Sequence, residues 1–545
     1  MKTIQIVSIL AVSALSLTGC EQSIPQEQKD WENATTYFNA SDEATSTTYY
    51  IPSAGSAGDP LPFYDPVAKE YKILYLHNFE QNQEETFHPL WGVRTTDCAT
   101  YSPMGEVLPT GLAGEQDAAL GTGCVVYDES EKLYYIYYTG ERYKPAADED
   151  RQVVMRATST DFQTWTKDRL FRLRGGDYGY STINFRDPYI WRMDDGWHMI
   201  VATKPMPAGT KAEEKDGCFA EFTSPDLKTW THKGKFSKMI WDRFLECPNV
   251  FKMGDWWYLT YSDMSSFERR VHYLKGHTID ELKAATNPNW PDSKEGALDG
   301  RAFYAGNTAS DGTDRYMWGW CPERRGKDNT DISADVEPKW GGTLVVHKLM
   351  QREDGTLYTA AVPAFEQKYA KTKEVKAVRK FGEEEGNLTI ADGTYTMKAY
   401  SSVVFSTLGY HNHISMTATT ADKTDRFGIS FVRGTRNEEG AEKYYSIMIC
   451  PDGNNNYIRF EEEQGKWELK GGGSYPFAIP ADRTYHIDIY TDNSVLVMYI
   501  NDVLTYTQRI YNLQRNGWSV NCYEGGLTVK DIQIKQYLPI KIQQL

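Results

Sequence analysis

The 545-residue chain lacks the closely spaced cysteine pairs that mark a disulfide framework or a zinc site. Its eight cysteines are scattered, and no two of them form a Cys-x-x-Cys pair. The chain is also short of positive charge, since 59 Lys and Arg against 75 Asp and Glu give a formal net charge of −16. This balance disfavours nucleic acid, an anionic membrane surface or a strongly anionic substrate as a partner, and it leaves neutral ligands open.

Segments with helical periodicity are also missing after the first twenty residues, apart from a short stretch from Asp280 to Ala285. No cluster with metal-ligand spacing and no phosphate-binding glycine loop stands out, so the sequence predicts no metal and no cofactor. Aromatic residues, in contrast, make up 13% of the chain. The length exceeds that of a single core, so we expect an all-β protein of two or three domains.

The N-terminus has the features of a targeting segment. Lys2 precedes an apolar run from Ile4 to Leu17 that is too short for a stable membrane span. The run ends in Leu-Thr-Gly-Cys, which resembles a bacterial lipobox and implies cleavage before Cys20 and lipid attachment to its thiol. We therefore expect a signal peptide over 1–19, a polar tether over 20–48 and a lipid-anchored place in a bacterial cell envelope, periplasmic or surface-exposed. The alternative is an ordinary secretory signal with a chance cysteine.

A repeat of strand, turn and returning strand organises the next part of the chain. Its copies start at positions 59, 123, 187, 247 and 306, which are 64, 64, 60 and 59 residues apart. Five copies of this size predict a five-bladed β-propeller over residues 49–362. The first strand of each blade lines the central channel, so Asp59, Asp187 and Glu246 should meet at one mouth. Three carboxylates around one pocket favour catalysis, and the alternative is that these motifs only begin strands.

A second domain follows a charged, Lys-rich segment, which we expect to be a linker over 363–385. Short alternating strands then resume, with turn signals at Asp452-Gly453 and Asp492-Asn493-Ser494. Many short strands at this spacing predict a C-terminal β-sandwich over residues 386–545.

Several short motifs occur in order along both predicted domains. They are Gly58-Asp59-Pro60, His88 to Gly92, Arg186-Asp187-Pro188, Glu246-Cys247-Pro248, Asp299 to Ala305 and Asp492 to Asp502. Together they resemble glycoside hydrolase family 32, the invertase, inulinase and levanase family, over roughly residues 50 to 540. The resemblance implies a five-bladed propeller followed by a β-sandwich.

The resemblance also implies a reaction, the retaining hydrolysis of β-fructosidic bonds in fructans or sucrose-type oligosaccharides. In that reaction Asp59 would be the nucleophile and Glu246 the acid/base. Asp187 would stabilise the transition state through the sugar hydroxyls. Arg186 would hold a nearby carboxylate ionised or orient the sugar. The expected partner is a neutral oligo- or polysaccharide.

Further substrate-binding candidates are aromatic or lie near the altered first-blade motif. Trp91, Trp318 and Trp340 could offer an indole face to a sugar ring, or they could pack between blades. His77 and Asn78 lie beside the position at which the family carries a substrate-binding Gln. His77 could equally be a packed strand residue.

The chain departs from the family pattern around the nucleophile. The family's Asn before the nucleophile is Gly58 here, its Asn-Gly after the proline is Leu61-Pro62, and its Gln falls at Leu76. These positions bear on the choice of sugar more than on the chemistry. Two other functions stay open: an arabinan- or xylan-cleaving hydrolase similar to family 43, and a lipid-anchored glycan-binding protein that has lost its activity.

Overall fold

The protein is described by a computed structural model that covers residues 48–537. The parts of this range that it leaves out are 80–85, 148, 207–212, 215, 238–243, 264–269, 287–296, 301, 325–337, 437–441, 455–456, 464–468, 503 and 511–516. The described strands form six sheets, of which four belong to the N-terminal part of the chain and two to the C-terminal part.

Each blade of the N-terminal part is antiparallel, and its consecutive strands pair. Blade 1 consists of β1 (Ser56–Asp65), β2 (Glu70–Asn78), β3 (Leu90–Thr95) and β4 (Ser102–Leu108). Blade 2 consists of β5 (Ala119–Asp128), β6 (Leu133–Glu141), β7 (Gln152–Ser159) and β8 (Thr166–Lys167). Blade 3 consists of β9 (Tyr180–Met193), β10 (Gly196–Pro205), β11 (Cys218–Ser224) and β12 (Thr231–Lys235).

The remaining two blades follow the same plan. Blade 4 has three described strands, β13 (Leu245–Met253), β14 (Trp256–Asp263) and β15 (Val271–Gly276). Blade 5 consists of β16 (Tyr304–Ser310), β17 (Arg315–Arg324), β18 (Pro338–Gln351) and β19 (Leu357–Ala360). The five predicted repeat starts fall in the first strands of the five blades.

The first strands of the blades close into a ring. Each of β1, β5, β9, β13 and β16 contacts the next, and β16 contacts β1. The ring is fastened where β18 pairs with β1 through Gly342 and Ala57, which joins the last blade and the first in one sheet. These contacts confirm the predicted five-bladed propeller.

Helices are short in the described residues. A 3₁₀ turn spans Gly175–Tyr178, α1 spans Ile279–Ala284 and α2 spans Phe365–Lys368. The Thr278 side chain caps α1 by accepting the Glu281 N–H, so the one helical stretch expected from the sequence is confirmed. No helix in this part of the chain is long and apolar enough to cross a membrane.

The C-terminal domain is a β-sandwich, as predicted. One sheet has the order β22-β23-β34-β25-β30-β31-β32, with β20 beside β34, and the other has the order β21-β24-β33-β26-β27-β28-β29. Their bounds are β20 (Lys371–Lys373), β21 (Ala377–Phe381), β22 (Leu388–Ala391), β23 (Thr394–Lys398), β24 (Ser401–Phe405), β25 (His411–Thr420), β26 (Arg426–Arg436), β27 (Glu442–Asp452), β28 (Tyr457–Glu463), β29 (Leu469–Ala478), β30 (Thr484–Asp492), β31 (Val495–Ile500), β32 (Leu504–Arg509), β33 (Trp518–Glu524) and β34 (Gly526–Gln536). Apolar residues from both sheets form one buried core between them.

Two predicted boundaries need correction. The segment 363–385 is not a linker, because β20 pairs with β34 and β21 pairs with β24. These strands lack a clear alternating pattern because they lie at sheet edges and are largely exposed. Thr48, assigned to the tether, is buried and donates its N–H to Asp492 of the sandwich at 2.7 Å.

Buried polar groups join the propeller to the sandwich. Asp299, just before β16, accepts the Thr507 N–H at 2.7 Å and lies 2.9 Å from His347 Nε2. The other ring nitrogen of His347 lies 2.8 Å from the Tyr499 hydroxyl. Arg509 donates to the carbonyl oxygens of Cys321 and Pro322, each at 2.8 Å. Because every one of these groups is buried and hydrogen-bonded, the interface fixes the two domains in one arrangement.

The described cysteines are buried thiols that form no disulfides with one another. They are Cys98, Cys124, Cys218, Cys247, Cys321, Cys450 and Cys522.

Candidate active site

A β-bulge interrupts each of the five innermost strands at the same level of the channel. The pairing registers shift at Gly58/Leu61, Gly121/Gly123, Arg186/Tyr189, Glu246/Asn249 and Tyr304/Asn307. Four non-glycine residues at these bulges have positive φ: Asp59 (29°), Asp187 (57°), Cys247 (51°) and Ala305 (54°). Such backbone costs about 1–3 kcal/mol per residue, so the surrounding contacts must hold it. A bulge re-aims its side chain, and here the bulges place side chains around one mouth.

Asp59 lies on the first of these bulges and is held by two neutral donors. The Trp320 indole N–H donates to Oδ1 at 2.8 Å, and the Thr122 hydroxyl donates to Oδ2 at 3.0 Å. The donors come from blade 5 and blade 2, the two neighbours of blade 1. The carboxylate is therefore fixed from both sides without an ion pair among these contacts.

Asp187 occupies the bulge of blade 3 and is only 4% exposed. Its backbone N–H donates to the Thr139 hydroxyl at 2.9 Å, and its Oδ2 accepts the Cys247 N–H at 3.0 Å. Burial raises the pKa of Asp187 to about 7, and the charges of Glu246 and Asp59 add to this rise against the attraction of Arg186. The charges of Glu246 and Asp59 both act on Asp187, so the three carboxylates influence one another electrostatically.

Glu246 precedes the bulge of blade 4 and is held by two stronger donors. Arg186 Nη2 donates to Oε1 at 2.7 Å, and the Tyr304 hydroxyl donates to Oε2 at 2.5 Å. The Arg186 guanidinium also donates to Asn184 Oδ1 at 2.8 Å and lies 4.0 Å from the centre of the Phe244 ring. Its charge is thus used mainly to hold Glu246.

One hydrogen-bond network brings the predicted carboxylates together. Thr122 binds Asp59 and lies 4.0 Å from the Cys247 thiol, and the Cys247 amide binds Asp187. Cys247 directly follows Glu246, so Asp59, Asp187 and Glu246 stand around one connected centre. Arrangements of this kind suit acid–base and nucleophilic chemistry on a substrate held at the mouth.

Two predicted substrate-binding residues are corrected by the structure. Trp318 is fully buried (0% exposed), and its indole N–H donates to the Tyr101 hydroxyl at 3.1 Å. It packs between blades and offers no face to a sugar. His77 is 1% exposed and packs against Phe79 and Trp91, with ring centres 4.0 and 4.6 Å away. Burial lowers the pKa of His77 to about 4, so it is a neutral, packed strand residue.

The other substrate-binding candidates lie at the active-site end of blade 1 or beside it. Trp91 is half-buried next to His77. Asn78 donates its side-chain N–H to the Trp340 carbonyl at 3.3 Å, which makes it a support for that backbone. The Trp340 indole lies 5.9 Å from that of Trp320, the donor to Asp59. Sugar contact by Trp91 and Trp340 stays a prediction.

Sequence reasoning missed three residues that touch the carboxylates: Trp320, Thr122 and Tyr304. Tyr304 lies inside the Asp299 to Ala305 motif and could have been chosen from it. Trp320 lies two residues after Trp318, so the two indoles share a strand face, but Trp320 is nearer the mouth. Only the position of Thr122, directly before the repeat start at 123, could have indicated that it lies at the mouth.

A further carboxylate supports the Arg186 side of the site. Glu213, from the connection between β10 and β11, accepts the Asn184 side-chain N–H at 2.9 and 3.0 Å. Asn184 in turn accepts from Arg186, so a polar chain runs from Glu213 to Glu246. Among the residues that the structure describes, no group of three or more His, Cys, Asp and Glu could hold a metal ion. Cys20, the predicted lipidation site, lies outside the described residues.

Comparisons with known proteins identify the family of this chain. Residues 50–361 match the glycosyl hydrolases family 32 N-terminal domain, and residues 355–534 match the GH32, BT1760-like, C-terminal domain. The chain belongs to glycoside hydrolase family 32. It is therefore a glycoside hydrolase, and the alternatives of a family 43-like enzyme and of an inactive glycan-binding protein are not favoured.

Individual relatives of this family 32 enzyme are distant. A sucrose-6-phosphate hydrolase of Zymomonas mobilis is 22% identical over 494 residues, which cover 85% of each chain. A sucrose-6-phosphate hydrolase of Vibrio alginolyticus is 24% identical over 59% of this chain, and the match spans 58% of that relative's length. The structure of fructan 1-exohydrolase IIa from Cichorium intybus superposes with a TM-score of 0.66 at 14% identity, covering 92% of this chain and 98% of that one. This last likeness shows the shared propeller-plus-sandwich fold.

Proposed function

We propose that this family 32 enzyme hydrolyses β-fructosidic bonds in fructans or sucrose-type oligosaccharides. The observation that carries the proposal is the connected centre in which Asp59 and Glu246 have separate donors and the buried Asp187 adjoins both. Family membership supports the same conclusion, as do the names of relatives that act on sucrose 6-phosphate and fructans. The net charge of −16 favours a neutral sugar over a phosphorylated one.

In the proposed reaction, an Asp59 oxygen attacks the anomeric carbon while the bond to the leaving oxygen breaks and Glu246 donates a proton to that oxygen. Glu246, now a base, then deprotonates a water molecule whose oxygen attacks the same carbon and releases Asp59. The two donors on Asp59 suit a nucleophile that must keep its position. The longer Glu246 side chain suits an acid that must reach the glycosidic oxygen. Asp187 stabilises the positive charge of the transition state and accepts hydrogen bonds from sugar hydroxyls.

The test is product analysis on levan, inulin, sucrose, sucrose 6-phosphate and arabinan, with Asp59→Asn beside the wild type. We expect fructose or fructo-oligosaccharides with retained configuration, and a fall in rate of more than about 10³-fold in Asp59→Asn. Asp195→Asn is the matched control, because that carboxylate is 71% exposed on a turn of the same propeller. Arabinose products, or an active Asp59→Asn enzyme, would contradict the proposal.

We also propose that Cys20 carries a lipid that anchors the enzyme to a membrane of a bacterial cell envelope. Support comes from the apolar run that ends in Leu17-Thr18-Gly19-Cys20 and from the polar residues that follow it. Labelling of cells with a fatty-acid analogue should mark the wild-type chain and leave Cys20→Ser unmarked. Release of the wild type without detergent would contradict the anchor.

A further inference from the structure

The residue before the nucleophile has no side chain, and the backbone is not the reason. Gly58 lies outside the left-handed region, so its conformation is open to other residues. A Cβ at this position would instead lie 2.4 Å from Trp340 Cη2, 2.7 Å from Cζ3 and 2.8 Å from Cζ2. These near-equal distances to three consecutive atoms place the Cβ over the face of the ring. Trp340 therefore occupies the space that a side chain at position 58 would need.

The Trp340 ring is held firmly in that space. Its indole stacks on the His88 ring with centres 4.1 Å apart and planes 15° apart. Asn78 binds its carbonyl oxygen. A flexible neighbour could yield to a new methyl group at position 58, but a stacked indole on a tethered backbone yields at a cost.

Trp340 also reaches Asp59 by a second route. Its indole packs against Trp320, whose N–H donates to Asp59 Oδ1. Two residues further along β18, Gly342 forms the pair with Ala57 that closes the propeller ring. The segment from Trp340 to Gly342 thus contacts the residue before the nucleophile, the hydrogen-bond donor Trp320 and the strand β1.

We propose that Trp340 is a positioning residue for Asp59, which it fixes by packing on Gly58 from one direction and on Trp320 from another. The proposal rests on the proposed function, because the nucleophilic role of Asp59 belongs to it. The proposal explains why position 58 is a glycine in this chain, because any larger residue there would clash with the Trp340 indole. It also predicts that the two positions are energetically coupled.

The experiment measures kcat and KM on the best substrate for Gly58→Ala, Trp340→Ala, the double variant and Trp340→Phe. Gly58→Ala should lower kcat about 10²-fold, since a displacement near 1 Å at a reacting group has that cost. Trp340→Ala should lower kcat about tenfold with KM nearly unchanged, because positioning acts on the transition state. In the double variant the alanine at 58 should add no further loss, and Trp340→Phe should keep most of the activity.

A purely structural role for Trp340 would give a different result. It would lower the unfolding temperature while kcat per folded enzyme stayed the same, and the two substitutions would act independently. Gly176→Ala is the control glycine, since its Cβ would meet only the Thr182 side chain, at 3.2 Å. Unchanged kcat in Gly58→Ala would overturn the inference. So would a double variant whose loss of kcat equals the product of the two single losses. Asp59→Asn, run in the same series, separates this failure from a failure of the proposed function.

Discussion

The mouth of the propeller and its interface with the sandwich both bury carboxylates, but the two regions satisfy them differently. At the interface, Asp299 is hydrogen-bonded to His347 and to the Thr507 amide. Asp492 accepts hydrogen bonds from the amides of Thr48 and Tyr49. At the mouth, the Arg186 guanidinium contacts Glu246 at 2.7 Å and Asp187 at 3.9 Å, and the two donors described above for Asp59 are neutral.

The pKa directions express this difference. Burial raises the pKa of Asp492, but His411 and the backbone hydrogen bonds outweigh it, so the pKa lies below its usual value. At the mouth, burial dominates and the pKa of Asp187 rises to about 7. A buried acid that has its own partners stabilises the fold, and an under-compensated one marks the place where chemistry occurs. Substitutions at the mouth and at the interface test this contrast.

Among these substitutions, Glu246→Gln should have the largest effect, a fall of about 10²–10⁴-fold in kcat on substrates with poor leaving groups. The amide cannot donate the proton that the leaving oxygen needs. A substrate with a good leaving group needs less protonation, so its rate should fall much less. An equal fall for both kinds of substrate would assign Glu246 another role.

Asp187→Asn should lower kcat about 10²–10³-fold, since a preorganised group that stabilises the transition state is lost. The same change should raise stability by about 1 kcal/mol at neutral pH, because it removes an under-compensated buried charge. Thermal unfolding measures this gain.

The gain from Asp187→Asn should depend on pH. The folded-state pKa of Asp187 is raised, so the cost of its charge is fully present above about pH 7 and fades as the pH falls towards 4. The difference in unfolding temperature between Asp187→Asn and wild type should shrink over that range. A difference that stayed constant would show that burial of this charge costs the fold nothing.

Thr122→Val should have a smaller effect on activity. It removes the hydroxyl that donates to Asp59 at 3.0 Å and keeps the shape of the side chain. A single hydrogen bond of about 0.5–1.5 kcal/mol corresponds to a fall in kcat between twofold and about tenfold. Unchanged kcat would mean that the nucleophile does not depend on the Thr122 hydroxyl.

Asp492→Ala, at the interface, should leave kcat per folded enzyme unchanged. It should cost about 3–5 kcal/mol of stability, because buried partners lose a charged acceptor. Asp488→Ala is the matched control on the same strand, since Asp488 pairs with His413 but is 33% exposed and should cost less than about 1 kcal/mol. A loss of kcat in Asp492→Ala would show that the domain interface also contributes to catalysis.

The sequence predicted the fold because its repeat is regular. The first strand of each blade comes at the same point of the repeat, although the residues at that point differ between blades. It also predicted which carboxylates meet, since Asp59 and Asp187 occupy the same place in two copies and Glu246 lies one residue before that place in a third. The donors around them were harder to predict. Trp318 and Trp320 lie two residues apart on the same face of β17. Only the three-dimensional arrangement shows which of the two indoles reaches Asp59.

The linker over 363–385 was predicted wrongly for a related reason. Edge strands such as β20 and β21 bury little, so they carry no alternation that a sequence pattern could detect. Likewise, the motifs at Asp299 and Asp492 were useful for family resemblance, but their contacts show that they hold the domains together.

Closure of the ring between β18 and β1 has a consequence for the order in which the enzyme matures. Asp59 and its donor Trp320 are 261 residues apart in the chain. At a synthesis rate of about 5–20 residues per second, the nucleophile leaves the ribosome roughly 13 to 52 seconds before this donor. A nascent chain that ends after blade 4 holds all three carboxylates and no closed ring. Catalytic competence therefore arrives with the last blade, and recovery of activity during refolding should lag behind the formation of strands.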